Sequence, residues 1–339
     1  MVFVLFTCCL FSVTIALGHV PLISSDNGKL TQAMFIPDPT KSWAIYGELH
    51  ESREVDYYRF EMQKGQGIFI SLMKPTNPEN RDFMPGFVLM GPGLNNQENI
   101  PEYMEQPSGT NTVVVIGKQP EEATYEPFAP SSFYQLAELS IPAPESGTYH
   151  IAVYEPSRGG HYSLAIGERE TFSLTEWILI PISLISVYQW EGQSLFMIFL
   201  PIIVTVAIGL IFFWKKNWMA KSLFEWIGIL AGILFLCTGS MVILQMALAL
   251  SSTKFVQEVL ITIIYALLPM ILGIAVIRSI MKNRENVDIR KRAYLAALGI
   301  IALFVWAGFV VGPVLAVLAS IIPDSKNRNI GRTKDKIGS

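Results

Sequence analysis

The chain has 339 residues, of which 51% are hydrophobic and 16% charged, and its mean hydropathy of +0.40 excludes an ordinary soluble enzyme. Charge is divided unevenly: residues 19–176 hold 21 Asp and Glu against 10 Lys and Arg, net −11, whereas residues 177–339 hold 7 against 15, net +8. Such a division excludes a nucleic-acid-binding surface and reads as an acidic domain outside a membrane followed by an embedded region with basic loops.

Residues 2–17 are apolar and end Ala16-Leu17-Gly18, small residues at the −3 and −1 positions before His19. This pattern predicts a signal peptide over residues 1–18, although no Lys or Arg precedes the apolar stretch, and an uncleaved anchor is the alternative. The three cysteines, Cys8, Cys9 and Cys237, all lie in apolar runs. An exported domain over residues 19–170 therefore has no disulfide scaffold and no paired-cysteine zinc site. No N-x-S/T sequon occurs, which favours a prokaryotic cell surface.

Between residues 33 and 168 the apolar pattern has period two. Trp43, Ile45 and Leu49 alternate with Ala44, Tyr46, Glu48 and His50; Tyr58, Phe60 and Met62 share one side of 55–62; Ile68, Ile70 and Leu72 share one side of 67–74. These are half-buried strands, joined by the polar segments 51–54 and 63–66, which are of hairpin length. Further strands are expected at 86–90, 112–117, 135–141, 147–154 and 161–167. About eight strands without an intervening helical pattern predict an exported antiparallel β-sandwich, jelly-roll-like.

Residues 171–193 form a linker in which 177–190, bounded by Trp177 and Trp190 and carrying Pro181, is read as a helix lying in the membrane interface. Within 194–322, the segments 195–214, 223–250, 259–277 and 293–322 are each long enough to cross a hydrocarbon core as helices, giving four spans. With the sandwich exported, Lys215, Lys216 and Lys221 and the later group Arg278, Lys282, Arg284, Arg290, Lys291 and Arg292 fall on the cytoplasmic side, and only Lys254 lies outside. The basic tail, 323–339, runs against this pattern, because four complete spans would export it.

The segments Val55-Asp56-Tyr57-Tyr58-Arg59-Phe60-Glu61-Met62, Gly65-Gln66, Ile68 to Leu72, Gly147 to Tyr154 and Gly159-Gly160-His161-Tyr162-Ser163-Leu164 resemble the bacterial and archaeal pre-peptidase C-terminal domain. The resemblance covers residues 42–168 apart from an insertion at 75–134. It implies a jelly-roll-like accessory domain used for binding or anchoring. Relatives attached to secreted hydrolases do not lend their substrates here, because a membrane region replaces the hydrolase. Some relatives bind calcium; Asp38, Glu54 and Asp56 lack the spacing of a calcium loop and read as solvated turn carboxylates.

All four histidines, His19, His50, His150 and His161, lie in the exported half. As a mature N-terminus, His19 can offer its amine and imidazole to copper, provided that another imidazole joins it. A hairpin turning at 156–159 would set His150 opposite Ala165 and His161 opposite Tyr154, about 13 Å apart, too far to share a metal. Ser24-Ser25 and Ser131-Ser132 lack a nucleophile-elbow setting and no H-E-x-x-H occurs, so catalysis is not expected. The insertion is rich in aromatics, and Tyr103, Tyr125, Phe128, Phe133 and Tyr134 are candidate ligand-binding residues; the competing reading is a lid folded over the sandwich. Gly228 and Gly232, and Gly308 and Gly312, are candidate helix-packing pairs, within the chain or between copies. The spans hold almost no ionisable residue, which argues against transport.

These observations describe a non-catalytic, membrane-anchored surface protein whose sandwich binds a ligand, a glycan or a partner protein, in contact with the lipid bilayer and open to a membrane-complex partner. A copper-binding protein or accessory subunit of a membrane metalloenzyme using His19 is the alternative. A small transporter with an exported domain is the third.

Overall fold

The computed structural model describes residues 19–24, 26–95, 99–282 and 287–322; residues 1–18, where a signal peptide is expected, with Cys8 and Cys9, and the tail over 323–339 lie outside the described residues. The chain divides into two compact units. One runs to Gly192 and includes Ala249–Phe255; the other comprises Gln193–Leu248 and the chain from Val256.

The first unit is a β-sandwich. Its strands are β1 (Val20–Ile23), β2 (Met34–Phe35), β3 (Trp43–Leu49), β4 (Val55–Met62), β5 (Gly67–Pro75), β6 (Gly86–Gly91), β7 (Asn111–Val115), β8 (Thr124–Glu126), β9 (Ser131–Pro142), β10 (Gly147–Tyr154) and β11 (Gly160–Ile166). One sheet has the order β1-β3-β11-β5-β9-β8, the other β2-β4-β10-β6-β7. Two differences from the sequence expectation follow. The sheets are mixed, because the edge strands β1 and β2 pair in parallel with β3 and β4, each through a connection long enough for a crossover. The short segments 51–54 and 63–66 are not hairpins: β3 and β5 lie in one sheet and β4 in the other, so each segment carries the chain between sheets. A four-residue connection reaches a facing sheet as well as a neighbouring strand, so length alone does not choose.

The alternating residues meet between the sheets. Ile45, Leu49, Ile70, Leu72 and Leu164 from one sheet and Tyr58, Phe60, Leu89, Tyr149 and Ile151 from the other form the main core. Both outer faces are also covered. On the β4-β6-β10 face, Tyr57, Val88 and Met90 are buried with Met104, and Tyr103 and Ile100 pack against them, so part of the insertion folds back as a lid. On the β3-β11 face lies helix α1 (Leu174–Trp190), started by a capping box from Ser173 and Glu176. Glu176 also binds Lys41 at 2.6 Å, and at the far end the Trp190 indole donates to the Gly47 carbonyl at 2.9 Å and meets Tyr46 edge-on. The expected linker helix therefore forms and belongs to the sandwich unit. Leu174, Leu179 and Ile182 remain exposed, an apolar strip suited to a membrane interface.

One inward position on β4 is an acid. Asp56 is 5% exposed and accepts a hydrogen bond from the Tyr162 hydroxyl, which lies 2.5 Å from that of Tyr58; it is a core group, where a solvated turn carboxylate was expected. Burial raises its pKa to about 6, against the pull of the Tyr162 bond. Glu126, on β8, is raised by burial to about 7. Both acids are protonated more readily in the folded chain, so the stability that they favour is complete below the ordinary carboxylate pKa and is lost as pH rises through about 6 to 7. His150, held low by burial and by Arg59, opposes this trend. Residues 19–192 expressed alone are expected to show a β-dominated far-UV CD spectrum and to be more stable at pH 5 than at pH 8 by roughly 2 to 4 kcal/mol, read as a higher urea midpoint at pH 5, with the dependence flattened by Asp56→Asn and Glu126→Gln together. A midpoint that rises towards pH 8 would contradict this assignment.

The second unit is α-helical. Three helices, α2 (Leu195–Lys215), α3 (Leu223–Leu250) and α4 (Val259–Met281), are long and apolar enough to cross a membrane. In α2 only Ile198 and Pro201 are buried, so its apolar surface lies open along its length, as a lipid-facing helix requires. Helices α3 and α4 meet through small residues. A Cβ at Gly228 would lie 2.5 Å from Ile280, and one at Gly232 2.6 Å from Ile277, so this pair is used for close approach within the chain.

The fourth apolar segment differs from a single span. It forms two helices, α5 (Ile289–Leu303) and α6 (Val311–Ile321), of about 22 Å and 16 Å at 1.5 Å per residue, each short of a core of about 30 Å. They are antiparallel: Gly299 faces Pro313 and Ala316, and the Arg292 guanidinium donates to the Ser320 and Ile322 carbonyls at 3.0 and 2.6 Å. The turn between them passes through positive φ at Trp306, Gly308, Phe309 and Val310. Its Gly308 amide donates to the Thr238 hydroxyl of α3 at 2.7 Å, and the Phe235 ring fills the space at Gly308 and Gly312, within 2.8 and 2.7 Å of where a Cβ would stand. The second glycine pair thus seats the turn on α3.

Candidate functional site

At the end of the β3-β11 pair the chain assembles a polar pocket of about 260 Å³, lined by Glu48, His50, Glu79, Asn80, Arg158 and His161 among others. Antiparallel register sets His161 directly opposite Glu48, and the two share the outer face because paired residues point the same way. His50 follows β3 by one residue, at the same phase. The Glu48 carboxylate lies between the two rings, its Oε1 3.3 Å from His161 Nε2 and 3.6 Å from His50 Nδ1.

Each ring is held differently. His161 Nδ1 lies 2.6 Å from the Trp190 carbonyl oxygen, one of the carbonyls that a helix end leaves without an intrahelical partner. Its ring also stacks on the Trp190 indole at 6.0 Å, and its amide donates to Asn80 Oδ1 at 2.7 Å. His50 is held by its amide, which donates to Glu54, while its side chain, 72% exposed, meets Glu48 at 3.6 Å.

Two glycines let the strands close to this geometry. A Cβ at Gly159 would collide with the Leu49 carbonyl oxygen, and one at Gly160 with the Phe83 ring and Asn80 Oδ1. The opposite wall is the 3₁₀ turn Pro78–Asn80, anchored from below by Lys74. That side chain, 1% exposed, donates to the carbonyls of Asn80, Arg81 and Phe83 at 2.9, 2.9 and 2.8 Å. Burial lowers its pKa to about 8, yet three carbonyl acceptors are matched only by the three N–H bonds of an ammonium. Across the mouth, Arg158 is paired with Asp82 at 3.3 Å. With that cation paired, Glu48 and Glu79 leave the pocket electronegative.

Of the residues singled out from the sequence, Tyr125, Phe128, Phe133 and Tyr134 share the β8-β9 hairpin, and none of them lines this pocket. Tyr103 lies on the lid of the β4-β6-β10 face, its hydroxyl buried with no partner among the described residues. Tyr125, on β8, is buried, Phe128 follows it in the β8-β9 turn, and Phe133 and Tyr134 are strand residues of β9, with Tyr134 under the Lys74 ammonium at 5.8 Å. His19 Nδ1 is 2.5 Å from the Ser42 hydroxyl at the start of β3, about 26 Å along the strand from His50 at the usual rise. His150 lies on β10 in the other sheet. The expected β10-β11 hairpin, in which His150 and His161 stood about 13 Å apart, is replaced by a crossing between sheets, and it is His50 that comes near His161. The i, i+2 spacing of Glu48 and His50 was visible; their meeting with His161 needed the β3-β11 pairing.

No family model and no curated protein matches the chain. Solved structures are similar to part of it. PliG of Salmonella Typhimurium, a periplasmic inhibitor of g-type lysozyme, is 18% identical over 44% of this chain and 98% of its own, with a TM-score of 0.21. CorA, a surface-associated copper-binding protein of Methylomicrobium album BG8, is 10% identical over 44% of this chain and all of its own, with a TM-score of 0.23. MopE, a secreted protein of Methylococcus capsulatus, is 12% identical over 45% and all of its own, with a TM-score of 0.20. At these scores none carries an argument about this chain.

Proposed function

We propose that this chain is a membrane-anchored, non-catalytic binding protein whose acidic β-sandwich is exported and takes its ligand at the pocket of Glu48, His50 and His161. The observation that carries this reading is the union, in one chain, of three apolar helices of membrane length with a β-unit that bears an open polar pocket. The resemblance to pre-peptidase C-terminal domains supports an accessory, binding role. Helices α2, α3 and α4 cross the bilayer, and α5 and α6 enter and leave it on the cytoplasmic side, so that Lys254 is the lone cation of the outer loop.

Lys64, exposed between β4 and β5 and away from the pocket, gives the test. In a chain with Cys8, Cys9 and Cys237 replaced by Ser, a Lys64→Cys variant is expected to react fully with a membrane-impermeant maleimide in intact cells. Reaction only after lysis would overturn the export of the sandwich.

A further inference from the structure

We propose that Glu48, His50 and His161 bind one divalent transition-metal cation of borderline softness, of the Zn²⁺ or Cu²⁺ type. The inference deepens the reading above and rests on it only for the pocket being the binding part of the protein.

The argument begins with hydrogen bonding. The Trp190 carbonyl can only accept, so His161 Nδ1, 2.6 Å away, carries the proton. Nε2 is thereby the nitrogen left to face a carboxylate oxygen 3.3 Å away. A proton shared with Glu48 fills that gap in the absence of metal, and a metal cation binds there by displacing it, with Nε2 and the carboxylate as two electron-pair donors. A backbone carbonyl holding the remote nitrogen is also the arrangement that orients a metal-binding imidazole and sharpens its basicity.

Composition of the donor set points the same way. Two imidazoles and one carboxylate suit zinc or copper and do not suit calcium or magnesium, which take oxygen ligands. Water fills the remaining positions from the open side of the pocket. No group of three donors is preformed around one point among the described residues, because Glu48 Oε1 stands between the rings. His161 is held by Trp190 and by its amide bond to Asn80, while His50, at 72% exposure, is free to rotate about its side-chain bonds and complete the set. The cationic side chain on the pocket wall, Arg158, is turned to Asp82.

The test uses the full chain, solubilised in detergent and stripped of metal, titrated with ZnCl₂ and with CuSO₄ by calorimetry and by equilibrium dialysis with elemental analysis. One equivalent is expected to bind. Glu48→Gln and His161→Gln should each weaken it by at least about tenfold, His50→Ala should do the same, and His19→Ala should leave it unchanged. Glu48 and His50 are surface positions, so those two variants keep the test decisive if His161→Gln loosens the contact with α1. Absence of stoichiometric uptake by the folded chain, uptake indifferent to all three substitutions, or uptake abolished by His19→Ala would each overturn the proposal. Labelling of the Lys64→Cys variant, just past the end of β4 and away from the pocket, is independent of metal. If that variant reacts in intact cells and no metal binds, the metal site falls and the exported binding protein stands; if metal binds and the variant is protected from the reagent, the reverse holds.

Discussion

Cysteines introduced at Asn286 and at Lys334 in the cysteine-free chain are expected to react from the same, cytoplasmic side of the membrane, and one introduced at Lys254 from the opposite side. The effect is all-or-none: protection from an impermeant reagent in intact cells at 286 and 334, full reaction at 254. It follows from the geometry of α5 and α6. Arg292, in the first turn of α5, holds the carbonyls of Ser320 and Ile322 at the end of α6, so the hairpin begins and ends at one level. At that level Lys291 donates to the Lys282 carbonyl beyond the end of α4 at 3.0 Å and lies over the Phe224 ring at the start of α3 at 5.5 Å. The turn meets α3 at Phe235 and Thr238, about 18 to 22 Å along from Leu223 at 1.5 Å per residue, near the middle of a helix of 28 residues. Non-helical backbone survives at that depth only where protein supplies its hydrogen bonds, and the Gly308 amide finds the Thr238 hydroxyl there. On the proposed topology, a returning hairpin would put the five basic residues of the tail on the same side as the nine of the loops after α2 and α4, which removes the conflict in the charge pattern. Labelling of 286 and 334 from opposite sides would require a complete fourth span.

Replacing Lys74 by Met is expected to lower the stability of residues 19–192 by about 2 to 4 kcal/mol, read as a lower urea midpoint at unchanged slope. Methionine fills much of the same volume and removes a buried charge, which on its own would favour the folded state. The loss arises on the other side of the interaction. Three carbonyls of the 80–83 segment, matched by one ammonium, lose its N–H groups; that of Asn80 keeps the Phe83 amide at 3.2 Å, and those of Arg81 and Phe83 carry the larger desolvation penalty. Because Asn80 fixes the His161 amide, the substitution should also loosen the pocket wall, and amide hydrogen exchange at residues 80–83 and at His161 should quicken together. A change under about 0.5 kcal/mol would show that the turn stands without the lysine.

Eight of the strands were legible because period-two alternation identifies a face, and the faces carrying Ile45, Tyr58, Ile70 and Leu164 do point into the core. The edge strands β1, β2 and β8 were not, being too short to show a period. Nor were the partners legible. Pro156 to Gly159 reads equally as a hairpin or as a crossing, and only the packed sandwich sets His161 beside Glu48 and apart from Tyr154. Asp56 had the spacing of a strand residue and the chemistry of a turn residue; the deciding fact was Tyr162 arriving from the other sheet to satisfy it.

The amino-acid order by itself determined the two classes of structure, the place where one gives way to the other, and the sign of charge on each, because alternation, run length and composition are local quantities. Tertiary structure decided which imidazoles share a carboxylate and that the last apolar segment forms two short antiparallel helices in place of one long one. Hydropathy counts apolar residues without regard to what supports a reversal among them, and the support here, Phe235 and Thr238, comes from a helix some 70 residues earlier.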